Sequence, residues 1–204
     1  MIKVENLNEA YNQTNELFDT EVNDGTELLS QMEKLIINLK EHWKGNDGIR
    51  HINRLIYDYE KFQSFLDVTI ESTRNAMAGV VTLQTARKAN GGGDQIGELK
   101  ESFTAFFNKI EYAQVTEKYY IDPEIVNDYK LLEEVEEKIQ YFDRKISTLK
   151  EHLMDNWILG YNRQEVMSYF DDIETLGEQA EKDITDMKVD LSSSISNANL
   201  IMDN

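Results

Sequence analysis

Apolar side chains recur along this chain at alternating intervals of three and four. Val4, Leu7, Tyr11 and Phe18 open the pattern, with Thr14 filling one apolar slot, and Leu28, Leu29, Met32, Leu35, Ile36 and Leu39 continue it. This is the period of an amphipathic helix held for about ten turns. Gly25, in Asn23-Asp24-Gly25-Thr26, is its weak point and a place for a kink. The stretch Trp43-Lys44-Gly45-Asn46-Asp47-Gly48 is dense in turn residues and should end the helix near Gly45. A second run, through Ile49, Ile52, Ile56, Tyr59, Leu66, Ile70, Met77 and Val80, has Gln63 and Thr73 as polar substitutes and lasts to about Lys88. Two long helices joined by so few residues must run antiparallel, so 1–89 reads as a helical hairpin.

Asn90-Gly91-Gly92-Gly93-Asp94 interrupts the pattern, because three consecutive glycines lose too much backbone entropy in a helix. Residues 90–94 therefore read as a flexible linker, and 95–204 as a second helical region. That region begins with a shorter helix from Gln95 to Ile110, carrying Ile96, Leu99, Phe103, Phe106 and Phe107. Asp122-Pro123 then reads as an N-cap followed by proline at the first helical position. From Ile125 through Leu132, Val135, Ile139, Phe142, Ile146, Leu149 and Leu153 runs the most regular heptad seam of the chain, which favours helix-on-helix packing. Trp157-Ile158-Leu159-Gly160 marks a second turn, and Val166, Phe170, Ile173, Leu176, Ala180, Ile184, Met187 and Leu191 form a fourth helical face. The polar tail from Ser192 to Asn199 is expected to fray. Leu39-Lys40-Glu41-His42 recurs as Leu149-Lys150-Glu151-His152, each copy ending a long helix before a Trp-and-Gly turn. Two related hairpins and a single undivided four-helix bundle both fit this echo.

Composition narrows the class. One proline and ten glycines in 204 residues leave too few breakers for a sandwich, a barrel or a parallel sheet, so the expected fold is all-α: long antiparallel hairpins in an elongated bundle. With 39 acidic against 21 basic side chains the net charge is −18, which argues against nucleic-acid binding and against anionic lipid surfaces. The chain has no cysteine, which excludes disulfides, a thiol nucleophile and thiolate zinc sites. The most apolar patch, Ala76 to Val81, is far too short to span a bilayer, and the N-terminus shows no Sec-type signal pattern.

No catalytic, cofactor-binding or metal-binding constellation emerges. His42 and His51 flank the first turn and His152 precedes the second, without metal-ligand spacing, and all three read as surface or helix-end residues. Glu133-Glu134, Glu136-Glu137 and Asp171-Asp172 read as solvated helix faces. Tyr57, Tyr59, Tyr119, Tyr120 and Tyr161 read as packing or as a partner surface. The chain reads as a non-enzyme.

One feature stands above this background. Trp43-Lys44-Gly45 between two long heptad helices resembles the turn of the WXG superfamily, small helical hairpins exported by type VII (ESX-like) secretion in Gram-positive bacteria and their relatives. In such a turn the Trp covers the hairpin tip and the Gly permits the tight reversal. The resemblance covers residues 1–89; the full length is similar to the helical targeting region of LXG toxins. It implies a protein secreted without a classical signal peptide, or held in the bacterial cytoplasm before export. It also implies a homo- or heterodimer formed by helix packing, with a secreted toxin or the secretion ATPase as partner. Trp157 and Gly160 would form the second turn. The family's export signal is Tyr-x-x-x-Asp/Glu after the second helix. Phe170-Asp171-Asp172-Ile173-Glu174 is a variant of it, and its spacing equally describes two heptad contacts. The competing expectations are a membrane-active helical toxin component, inserting Ala76 to Leu83, and a generic coiled-coil scaffold.

Overall fold

A computed structural model describes residues 4–69, 73, 110–114, 120–156 and 163–202. Among the described residues it places the apolar periodicity in four long helices. Helix α1 spans Val4–His42; a two-residue strand β1, Trp43–Lys44, follows; helix α2 spans Asn46–Ser64 and runs on as a π-helical turn, Phe65–Thr69. After strand β2, Tyr120–Ile121, come helix α3, Ile125–Asn156, and helix α4, Arg163–Met202. The protein is an all-α bundle, as the pattern requires. At 1.5 Å per residue its longest helices are about 60 Å long.

Cross-helix pairs fix the directions. Along α1 and α3, Thr14 meets His152 (2.8 Å), Glu27 meets Lys138 (2.8 Å) and His42 meets Asp128 (2.6 Å), so the numbers fall in one helix as they rise in the other. Along α3 and α4, Lys188 reaches Glu136 (2.7 Å) and Ser147 donates to Glu174 (2.8 Å). Along α2 and α4, Arg50 pairs with Asp190 (2.8 Å) and Phe65 meets Phe170 edge-on (5.9 Å). Neighbouring helices are therefore antiparallel around a square, in up-down-down-up order. Helices α2 and α3 run the same way on one diagonal, so both begin at the same end of the bundle. Residues 110–114 lie against α2. Asn53 on α2 holds them like a strand neighbour, donating to the Ala113 carbonyl (3.2 Å) and accepting from its N–H (2.8 Å).

One core runs through all four helices. Leu29, Met32, Ile36 and Leu39 of α1 and Val135, Ile139, Ile146 and Leu149 of α3 are essentially inaccessible, and so are Ile56 and Tyr59 of α2 and Phe170, Ile184 and Leu191 of α4. The two halves are thus packed on each other, and the heptad seams are filled within the chain. Thr14 keeps its apolar slot by returning its hydroxyl to the Ala10 carbonyl (2.6 Å). The expected linker at 90–94, and the continuation of α2 toward Lys88 with its patch at Ala76 to Leu83, lie outside the described residues apart from Thr73, which is buried.

Two expectations change in the structure. Gly25 is a contact rather than a break: α1 runs through it, and a Cβ there would lie 2.8 Å from a Leu66 methyl and 3.1 Å from the Phe142 ring. The serine-rich tail is helical through Met202, because Leu191 and Ser194 are buried there, and Ser193 and Ser196 bond to carbonyls one turn back. Filling the space at Gly25 tests the packing. Gly25→Leu should destabilise the protein by about 1–3 kcal/mol despite its better helix propensity, measured by chemical denaturation. Unchanged or increased stability would place Gly25 at an ordinary surface instead.

Candidate functional site

The Trp-x-Gly turn is the point where both strands and all four described long helices meet. Gly45 reverses the chain with φ 127° and ψ 171°, a region essentially reserved for glycine. The reversal lays β1 antiparallel on β2, pairing Trp43 with Ile121 and Lys44 with Tyr120. The Trp43 ring is buried. Gly48, in the first turn of α2, backs it so closely that a Cβ would sit 2.7 Å from the Trp43 carbonyl and 2.9 Å from its Cγ. The ring also stacks on His51, with centroids 5.6 Å apart and planes 14° apart. His51 Nε2 in turn meets Asp190 of α4 at 2.7 Å, beside Arg50. The His51 hydrogen bond, with the charges of His51 and Arg50, holds the Asp190 carboxyl below the usual carboxylate range.

The same turn is tied to α3. His42, the last residue of α1, meets the buried Asp128 at 2.6 Å, and its carbonyl accepts from the Asp122 N–H (2.8 Å). Asp122 accepts from the Glu124 N–H (2.9 Å) within a turn at Pro123-Glu124, so α3 begins at Ile125, two residues later than a helix opening at Pro123, and that bond keeps the Asp122 carboxyl below the usual range. Beside the tip lies a pocket of about 250 Å³ lined by Lys40, Trp43, Lys44, Ile52 and Tyr112 among others. Lys40 donates to the Glu111 carbonyl and Lys44 to the Lys40 carbonyl.

A second feature is buried acid. Asp58 of α2 is fully buried against Asp183 of α4, and Arg54 stands 3.7 Å from Asp183. Burial first, then the Asp183 charge, pushes the Asp58 carboxyl up to about 8. Neither Asp58 oxygen has a donor partner among the described residues, as befits a carboxylic acid that gives its proton to Asp183. Glu21 of α1 is likewise raised to about 8 by burial and Asp24, against the opposing Lys145. Asp143 of α3, packed on Gly177, is raised to about 7 by burial and by Glu181, Glu174 and Glu178.

Asp58 and His51 are both buried. Among the described residues no cluster of acidic or histidine side chains has metal-binding geometry. Of the residues singled out in the sequence, the structure brings Trp43 and Gly45 together at the tip. Phe170 lies in the core against Phe65, and Glu174 is held by Ser147 and by Lys150 (2.7 Å), so both are engaged in packing α4. Trp157 and Gly160 lie outside the described residues. His42 is a helix-end residue, as expected, whereas His51 is a buried ring partner. Sequence reasoning missed Gly48, His51, Asp58 and Asp190. Asp58 had a signal: it stands between Leu55 and Phe62 in an apolar seam.

The chain matches no family model, and no curated protein or solved structure is significantly similar to it.

The buried acids set a direction for pH. Between about pH 4 and 8 folded Asp58 and Glu21 hold protons that the unfolded chain, with ordinary values of 3.8 and 4.5, has released. Stability must then fall as pH rises through that window. The melting temperature should be higher at pH 5.5 than at pH 8. Asp58→Asn, which keeps a donor for Asp183, should raise stability at pH 8 by about 1–3 kcal/mol and flatten the dependence. A melting temperature that rises with pH would contradict these assignments.

Proposed function

We propose that this protein is a non-enzymatic helical component of a type VII (ESX-like) secretion system, either a secreted factor of the WXG type or the helical targeting partner of a toxin, acting by helix–helix association. The observation that carries the reading is the Trp43-Lys44-Gly45 turn: a buried Trp and a glycine-only reversal joining two long antiparallel helices. A tip built in this way is rigid, because Trp43 is clamped by Gly48, His51 and β2 together. Rigid presentation of one bundle end suits a protein that is recognised by other proteins and does no chemistry of its own. Among the described residues no helix is long and apolar enough to cross a membrane.

Because the heptad seams are consumed within the chain, a partner has to be met by the outer helix faces. The export machinery would read the tip and those faces as one folded surface. In the native host, the protein should appear in culture supernatant in the parent strain and be absent from it in a strain lacking the type VII secretion ATPase, with a cytoplasmic marker as lysis control. Retention in both strains would remove the secreted reading. Release in both, without lysis, would remove the dependence on this route.

A further inference from the structure

Lys138, Lys150 and Lys188 each pair with a glutamate of a neighbouring helix, at 2.8, 2.7 and 2.7 Å. Lys40 and Lys44 have no carboxylate partner among the described residues. Each gives one N–H to a backbone carbonyl, Lys40 to that of Glu111 and Lys44 to that of Lys40. An ammonium carries three N–H donors, so two remain on each. Both side chains line the pocket of about 250 Å³ beside the hairpin tip. Among the described residues no acidic side chain lines it, in a chain of net charge −18.

Apolar groups complete the lining: the buried Trp43 and Ile52 and the half-buried Ile49 and Ala113. Asn53 fixes the Ala113 side by its two bonds to the backbone there (3.2 and 2.8 Å), and the Tyr112 hydroxyl donates to Glu60 (2.8 Å). Trp43 is 1% exposed, and its Nε1–H has no acceptor among the described residues. A buried donor without an acceptor is costly and uncommon. Spare ammonium donors, an unspent indole N–H and apolar sides together suit a group that only accepts hydrogen bonds and carries an apolar body. The volume lies below the range of about 300–1,000 Å³ usual for drug-sized ligands, so the body is small. In the field of so acidic a chain a singly charged anion is favoured over phosphate or a dicarboxylate, whose second charge adds repulsion.

We propose that the tip pocket is a binding site for a monocarboxylate with a small branched apolar body, Lys40 and Lys44 holding the carboxylate and Trp43, Ile49 and Ile52 the body. The same chemistry is found on a free short-chain acid and on the C-terminal residue of a polypeptide ending in leucine or valine. Such a site is independent of export, so retention of the protein in the cell leaves it standing. A ligand of so few atoms binds weakly, with a dissociation constant of about 1 mM at low salt.

The indole N–H signal of Trp43 in a proton–nitrogen correlation spectrum of the full chain reads occupancy, with Trp157→Phe used to assign it. Isovalerate should shift that signal saturably. Isovaleramide, of the same shape without the charge, and inorganic phosphate should each bind at least about tenfold more weakly. A short peptide ending in leucine with a free C-terminus, run beside its C-terminal amide, separates the two sources. Tighter binding than isovalerate assigns the site to a polypeptide C-terminus, and weaker binding assigns it to a free acid. Lys40→Gln and Lys44→Gln should each weaken isovalerate about tenfold. Lys138→Gln removes the same charge from a lysine paired elsewhere and should leave binding unchanged. Circular dichroism checks that the three variants keep the fold. No saturable shift with either acid up to about 20 mM, equal binding of acid and amide, or binding indifferent to both pocket lysines would overturn the proposal.

Discussion

The structure depends on the burial of two heptad seams against each other. Helix α1 presents Leu29, Met32, Ile36 and Leu39, and α3 presents Val135, Ile139, Ile146 and Leu149; neither set has enough apolar surface beside it in its own hairpin to be dry. Each such side chain stabilises the fold by about 1.5–3 kcal/mol when removed from water. Pairing them antiparallel makes the chain's own second half the partner that an isolated hairpin would have to find elsewhere. The diagonal arrangement of α2 and α3 follows, and Asn53 of α2 holds the chain at Ala113 before α3 begins.

The hairpin tip converts that packing into a defined end. A tip is the place where a two-helix unit has least to bury, and Trp43 fills it with the largest side chain available. The ring would be loosely held by α1 and α2 alone. The structure adds β2, which fixes the backbone of Trp43, and Asp190 of α4, which fixes the His51 ring stacked on it. Glycine at 45 and 48 serves different needs, the first a backbone conformation and the second close approach to the ring. The cost of the tight bundle shows at Asp58, Glu21 and Asp143, carboxyls that the folded chain keeps protonated near neutral pH rather than leave charged in a dry interface.

Much of the fold was legible in the periodicity, because an apolar step of three and four is dictated by the helix itself. The polar stand-in Thr14 was legible for the same reason: a small hydroxyl can return its hydrogen bond to its own helix. Partner choice was not legible. A seam specifies a face and leaves open which seam it meets, and the deciding pairs, such as His51 with Asp190, lie 139 residues apart. Gly25 looked like a weak point because propensity is local, whereas its reason, the approach of Leu66 and Phe142, is tertiary. The serine tail looked frayed because its own composition is polar, and the Leu191 and Ser194 contacts that hold it come from the rest of the bundle. In the candidate site, Trp43 and Gly45 stood out by type and place, and Asp58 could have been found from its place in an apolar seam, whereas Asp190 carries no local mark of the His51 ring it holds.

The dependence of the halves on each other is tested most directly by native-state hydrogen exchange, resolved by helix, over a series of denaturant concentrations. The slowest amides around Leu29 to Leu39 in α1 and Leu132 to Leu149 in α3 should converge on one opening free energy, equal to that of global unfolding. If the amides of α1 and α2 instead exchange through a separate, lower-energy opening while α3 and α4 stay protected, the two hairpins are independent units and the shared core is not what holds this protein together.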